Sequence, residues 1–155
     1  MLPYTLDHSI LLKRLEATFE IGGTVHDWFS SYLQDRQQSV LVNNVSSDLR
    51  PLLYGVPQGS VLGPVLFTLY SQPLSDVISS HGCNFHKYAD DTELSHASLP
   101  EDFSSVLSCI QSCVSDVLAW MNSNKLMLNT EKTEVMPVGA LSRLRLTGWQ
   151  RLYML

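Results

Sequence analysis

Apolar residues recur along this chain at two spacings, three to four residues in some segments and two in others, and the spacings mark out its elements. From Asp7 or Ser9 the stretch ILLKRLEATF puts Leu11, Leu15 and Phe19 or Thr18 on one face, which predicts a helix ended by Gly22 and Gly23. Thr24 is placed to cap a second helix, with Asp27 favoured by the dipole of its first turn. Val25, Trp28, Phe29, Tyr32 and Leu33 make that helix's apolar stripe. QQSVLVNNVSSDLRPLL reads as two strands about an Asn43-Asn44 turn, because asparagine tolerates positive φ. GVPQGSVLGP is a loop leading into the helix VLFTLY, with Ser60 placed to cap it and Pro64 in or beside its first turn. Pro73 should kink or end this helix, and LSDVISS adds a further turn or two.

CNFHKYA and TELSH read as a hairpin across Ala89-Asp90-Asp91. After Pro100, Glu101 and Asp102 suit a helix start, and Phe103, Val106, Leu107, Ile110, Cys113, Val114, Val117 and Met121 mark one long amphipathic helix. KTEVMPV alternates weakly and is expected as an edge strand, its pairing limited by Pro137. Hairpins interrupted by helices, with no regular βαβ units, predict an α+β fold: a small antiparallel sheet backed by helices. Neither an internal repeat nor a low-complexity segment is visible.

Length and composition fit about one domain: 155 residues, 45% hydrophobic and only 16% charged. So low a charge predicts apolar faces that neighbouring parts should cover. MLPYTLDHSILLKRL is too polar for a signal peptide, and no run approaches the ~18 apolar residues of a membrane span. The expectation is an intracellular chain, cytoplasmic or nuclear, not secreted and without a membrane partner. Cys83, Cys109 and Cys113 cannot all pair and are expected as packing residues in a reducing compartment. His81, Cys83 and His86 lack a fourth ligand at zinc spacing. Trp28, Trp120 and Trp149 show no spacing of a stacking platform. The net charge of −5 argues against a tight grip on phosphates by this chain alone. Charge is uneven, with 15 acids against 7 bases in residues 1–134, and three arginines and no acid in the last 21.

Asp90 and Asp91 carry the candidate chemistry. An aspartate pair in a turn is by itself ordinary turn chemistry. A tight turn also lets neighbouring carboxylates converge, and hard divalent cations take one or two carboxylates with substrate phosphates and water. Two such ions can activate an attacking hydroxyl and steady a leaving oxygen in phosphoryl or nucleotidyl transfer.

YADD at 88–91, preceded by GVPQGSVLGPVLF at 55–67, resembles the palm of the reverse transcriptases of non-long-terminal-repeat retrotransposons in animals. DHSILLKRLE (7–16), WFSSYLQDRQQSV (28–40) and WMNSNKLMLNTEKTEVM (120–136) extend the resemblance in the family's order. It implies an α+β palm over residues 1–138, followed at 139–155 by a divergent basic tail for which the sequence allows disorder. It implies that Asp90 and Asp91 bind Mg²⁺ or Mn²⁺ and that Tyr88 packs near the primer end. Gly55, Pro57, Gln58 and Gly59 would contact template and incoming nucleotide, with Ser60 opening the helix behind them. Lys132 would lie near the triphosphate. The implied partners are an RNA template, a DNA primer and deoxynucleoside triphosphates.

One departure bears on activity. Leu6-Asp7-His8 matches the end of the family's first aspartate motif, but Pro3 and Tyr4 stand where the family has Phe-Asp. The first metal-binding aspartate is expected upstream of Met1, and Asp7 matches a different position. The expectation is a truncated palm that holds metal weakly, binds nucleic acid weakly or not at all, and does not polymerise alone. The alternative is a domesticated or remnant interaction module, binding a protein partner or itself through an exposed apolar face. A third reading is a marginally folded translation product.

Overall fold

The computed structural model describes residues 6–56 and 59–136. Pro57, Gln58, Pro137, Val138 and the expected basic tail lie outside them. The described residues fall into two compact units, one ending at Gln72 and the other beginning at Pro73.

In the first unit, helix α1 (His8–Phe19) starts where Asp7 accepts hydrogen bonds from the Ser9 and Ile10 amides. Leu11 and Leu15, four apart, are fully buried, and Phe19 is half-buried. Glu20, at φ +55°, takes the left-handed position at the helix end ahead of the two glycines expected to do so. Helix α2 (Gly23–Leu33) corrects the capping expectation. Gly22 is its N-cap, no side chain caps it, Thr24 lies inside the first turn, and the first turn contains no acid. Glycine is tolerated at an N-cap, so the chain enters the helix earlier than the threonine suggests.

The segment after α2 forms an interrupted antiparallel ribbon. Strand β1 (Gln37–Gln38) pairs with β4 (Arg50–Pro51), and β2 (Leu41–Val42) pairs with β3 (Val45–Ser46). Asn43 and Asn44, at φ +49° and +62°, make the expected turn. Between the two ladders the Val40 amide donates to Ser47 Oγ, and the Ser47 amide donates to the Val40 carbonyl. Helix α3 (Gly63–Ser71) has Pro64 in its first turn and buries Leu66, Phe67 and Tyr70. Leu62 is its N-cap, yet Ser60 Oγ accepts the Gly63 amide at 3.1 Å, so the hydroxyl serves as expected from slightly outside the helix. Arg14 of α1 lies over the Tyr70 ring and donates to the Tyr70 carbonyl, tying α1 to α3.

In the second unit, helix α4 (Leu74–Ser80) begins directly after Pro73. Strands β5 (Asn84–Tyr88) and β6 (Asp91–Ser95) form the expected hairpin. Helix α5 (Phe103–Ser123) buries Cys113, Val114, Val117 and Met121. It packs on α4, which also meets β5. By length and composition α5 is apolar enough to cross a membrane. Its exposed Ser112, Ser115 and Asp116, opposite a buried stripe, fit a helix packed on one face.

The fold is α+β, as expected, but among the described residues the strands form three separate two-stranded ladders and not one sheet. Residues 132–136 hold no strand: Thr130–Lys132 is a 3₁₀ turn, and the chain beyond it is irregular as far as Met136. Weak alternation ending at a proline was insufficient to build a ladder.

Candidate functional site

The β5–β6 register decides how the carboxylate pair is presented. Phe85 faces Leu94, Lys87 faces Thr92, and Tyr88 faces Asp91, leaving Ala89 and Asp90 as a two-residue turn. Alternation along β5 turns Phe85 and Lys87 to the half-buried face and leaves Asn84, His86 and Tyr88 exposed. Burial lowers the pKa of Lys87. Asp91 is the first residue of β6 and is exposed, whereas Asp90 sits in the turn and is half-buried. The two neighbours are thus freed from the strand rule that would send successive side chains to opposite faces.

The turn is held in an unusual conformation. Ala89 has φ +52°, a region that favours glycine in two-residue hairpins. Hydrogen bonding holds the Asp90 carboxyl below the usual carboxylate range against the opposing effect of burial, and the charge of Lys132 adds the smallest contribution. Lys132 ends the 3₁₀ turn Thr130–Lys132 in the same unit, so two residues picked out separately in the sequence come into electrostatic reach.

Two adjacent carboxylates are hard oxygen donors of the kind divalent cations prefer, and they fit one such ion whose remaining ligands are phosphates and water. Among the described residues, no group of three or more His, Cys, Asp or Glu side chains is disposed to hold a metal. The donor set therefore fits a cation, but only in part.

The glycine loop belongs to the other unit. Gly55 and Gly59 have φ +80° and +76°, the left-handed region open to glycine. A Cβ on Gly59 would meet nothing within 4 Å, so backbone conformation and not space calls for that glycine. Gly55 is gripped from both sides: its amide donates to the Leu6 carbonyl at 2.7 Å, and its carbonyl accepts from His8 Nε2 at 2.7 Å. An antiparallel bridge between Asp7 and Tyr54 continues the contact. His8 is a positioning residue that sequence reasoning missed, because its partner lies 47 residues away and no local pattern signals it. Asp7 is engaged as a helix cap. Burial opposes its ionisation, but hydrogen bonds from Ser9 Oγ and the Ile10 and Ser9 amides, with the His8 charge, hold its carboxyl below the usual range.

Comparison with known proteins converges on one family. Residues 4–148 match the family model described as reverse transcriptase (RNA-dependent DNA polymerase). The chain is 34% identical over 131 residues to the probable RNA-directed DNA polymerase from transposon BS of Drosophila melanogaster, covering 81% of this chain and 14% of that protein. It is 30% identical over 108 residues to the RNA-directed DNA polymerase from mobile element jockey of the same fly, covering 66% and 12%. A third relative, the probable RNA-directed DNA polymerase from transposon X-element, is 39% identical over 70 residues, covering 44% and 8%. The chain thus spans 14% or less of the length of these curated relatives.

Proposed function

Because this chain belongs to the reverse transcriptase (RNA-dependent DNA polymerase) family, we propose that it is the palm portion of a retrotransposon RNA-directed DNA polymerase and carries two of its metal-binding carboxylates. The observation that supports this most is the β5–β6 hairpin, which puts Asp90 and Asp91 at a two-residue turn within the matched region. Asp90 and Asp91 would hold Mg²⁺ or Mn²⁺, which when bound supplies charge stabilisation for nucleotidyl transfer. Exposed Tyr88 offers an aromatic face beside the primer end. Lys132 supplies positive charge near Asp90, toward a triphosphate. Gly55 and Gly59, with Pro57 and Gln58, would bring backbone close to template and incoming nucleotide.

A polypeptide of these 155 residues alone does not polymerise in this reading, because Asp90 and Asp91 suffice for one cation, whereas two-ion nucleotidyl transfer calls for a further carboxylate. The test is a Mn²⁺ titration of thermal stability with primer extension run alongside. Mn²⁺ should raise the melting temperature only at millimolar concentration, and Asp90→Ala should abolish the rise. A rise that survives both Asp90→Ala and Asp91→Ala removes the site. Extension of an oligo(dT)-primed poly(rA) template by the polypeptide alone, lost in Asp90→Ala, removes the claim of incompleteness.

A second reading, protein interaction without catalysis, is favoured by one observation. Val40, Leu41, Val42, Val45 and Leu49 are all exposed on the β1–β4 ribbon. Self-association through it would appear as a concentration-dependent elution volume, lost on Leu41→Lys.

A further inference from the structure

Where the chain enters α1, leaves α2 and returns from β4, an open cleft of about 340 Å³ lies within the first unit. That volume falls in the roughly 300–1,000 Å³ range of small-molecule sites. Leu12 of α1, Leu33 at the end of α2 and Leu52 just after β4 make the apolar part of its wall. Leu33 is buried, and Leu12 and Leu52 are half-buried. The polar part comes from half-buried Asp7 and the exposed Asp35 and Tyr54.

The charge on this wall has one sign. Asp7 Oδ1 takes the Ser9 amide at 2.9 Å, the Ser9 hydroxyl at 2.6 Å and the Ile10 amide at 3.1 Å. All three donors fall on one oxygen, and Oδ2 takes none of them. Asp35, at φ +53°, sits in the turn that leaves α2. No lysine or arginine joins the wall among the described residues, and His8, which does, has Nε2 on the Gly55 carbonyl at 2.7 Å. A concave surface carrying two carboxylates draws cations and repels phosphates, which sets nucleotides aside. A bare metal ion is poorly served as well. Among the described residues no group of three His, Cys, Asp or Glu side chains is disposed to hold one, and a hydrated ion gains nothing from leucines. An organic cation uses both halves of the wall. Its apolar body covers the leucines, and a planar amidinium or guanidinium pairs with a carboxylate through two parallel hydrogen bonds. The exposed Tyr54 ring offers an aromatic face to the same charge.

We propose that this cleft binds a small organic cation, an amidinium or guanidinium on an apolar body, with Asp7 and Asp35 meeting the charge and Leu12, Leu33 and Leu52 the body. The site is separate from Asp90 and Asp91, which belong to the other unit, and its ligand is unlike a nucleotide in charge. An occupant rests against His8, the side chain that holds the Gly55 carbonyl, and so against the start of the glycine loop.

The test is a titration of the folded 155-residue chain at pH 8 and low salt, followed through its leucine methyl resonances. Three probes of one shape separate the contributions: benzamidinium, its neutral counterpart benzamide, and the anion benzoate. Benzamidinium should shift the Leu12, Leu33 and Leu52 methyls saturably, with a Kd of about millimolar. Benzamide should bind about ten-fold more weakly at the same methyls, and benzoate should shift none of them. Asp35→Asn and Asp7→Asn, the second of which keeps an oxygen for the α1 cap, should each weaken benzamidinium about five-fold and leave benzamide unchanged. Benzamide binding as tightly as benzamidinium would overturn the proposal, as would benzamidinium shifts confined to other leucines. Benzamidinium affinity unchanged in both Asn variants would also overturn it. The three-probe comparison on the wild-type chain decides the matter even where a variant fails to fold.

Discussion

Ala89 carries a β-carbon through a conformation that suits glycine, and it does so immediately before the carboxylate pair. Left-handed backbone is disfavoured for alanine, and strain of this kind persists where the surroundings over-determine the turn. The paired strands on both sides, with Tyr88 opposite Asp91, provide that constraint. Ala89→Gly should relieve the strain and raise unfolding stability by about 0.5–1 kcal/mol, read from urea denaturation. A loss of stability would mean that the turn is not strained at this residue. The sequence showed the aspartate pair as a turn, because YADD sits between two β-rich runs. It did not show which aspartate would remain in the ladder, since that depends on a register set by pairs such as Phe85–Leu94. Nor did it show His8 on the Gly55 carbonyl, a contact that exists only once the chain has folded back on itself.

Helices were the legible elements, because burial at three- and four-residue spacing leaves a mark that a single face can carry. Leu11 and Leu15 in α1, and Cys113, Val117 and Met121 in α5, are buried as their spacing predicts. Caps were less legible. Asp7 caps α1 as a sequence reader would choose, whereas Thr24 does not cap α2, because Gly22 takes the position without a side chain. The α1 cap is testable through its charge. The Asp7 carboxyl titrates below its unfolded value of about 3.9, so the stability it contributes is fully present above that pH. That stability is lost as pH falls through the lower folded value. Asp7→Ala should cost about 1 kcal/mol at neutral pH and flatten the acid limb of the stability profile. Asp7→Asn should keep most of the cap while losing the acid dependence, since the amide oxygen still accepts the Ser9 and Ile10 amides. An Asn variant with an unchanged acid limb would place that sensitivity elsewhere.

Across the whole molecule, charge sets a limit that neither residues nor elements reveal. The family acts on an RNA template and a DNA primer, yet residues 1–134 hold 15 acids and 7 bases. Phosphate contacts release counterions only where cations meet the backbone, so an acidic body gains little from nucleic acid at physiological salt. Arg143, Arg145 and Arg151 are the one basic run free of acids, and they lie outside the described residues. If they supply what attraction there is, a fluorescent RNA–DNA duplex should show no complex with micromolar protein at about 150 mM salt. Weak binding should emerge near 20 mM, with a log–log salt slope no steeper than about −3, as three phosphate contacts allow. Deleting residues 139–155 removes those three arginines, takes the net charge from −5 to −8, and should abolish the low-salt complex. Binding that persists at 150 mM, or that survives the deletion, would locate a basic surface within the acidic body.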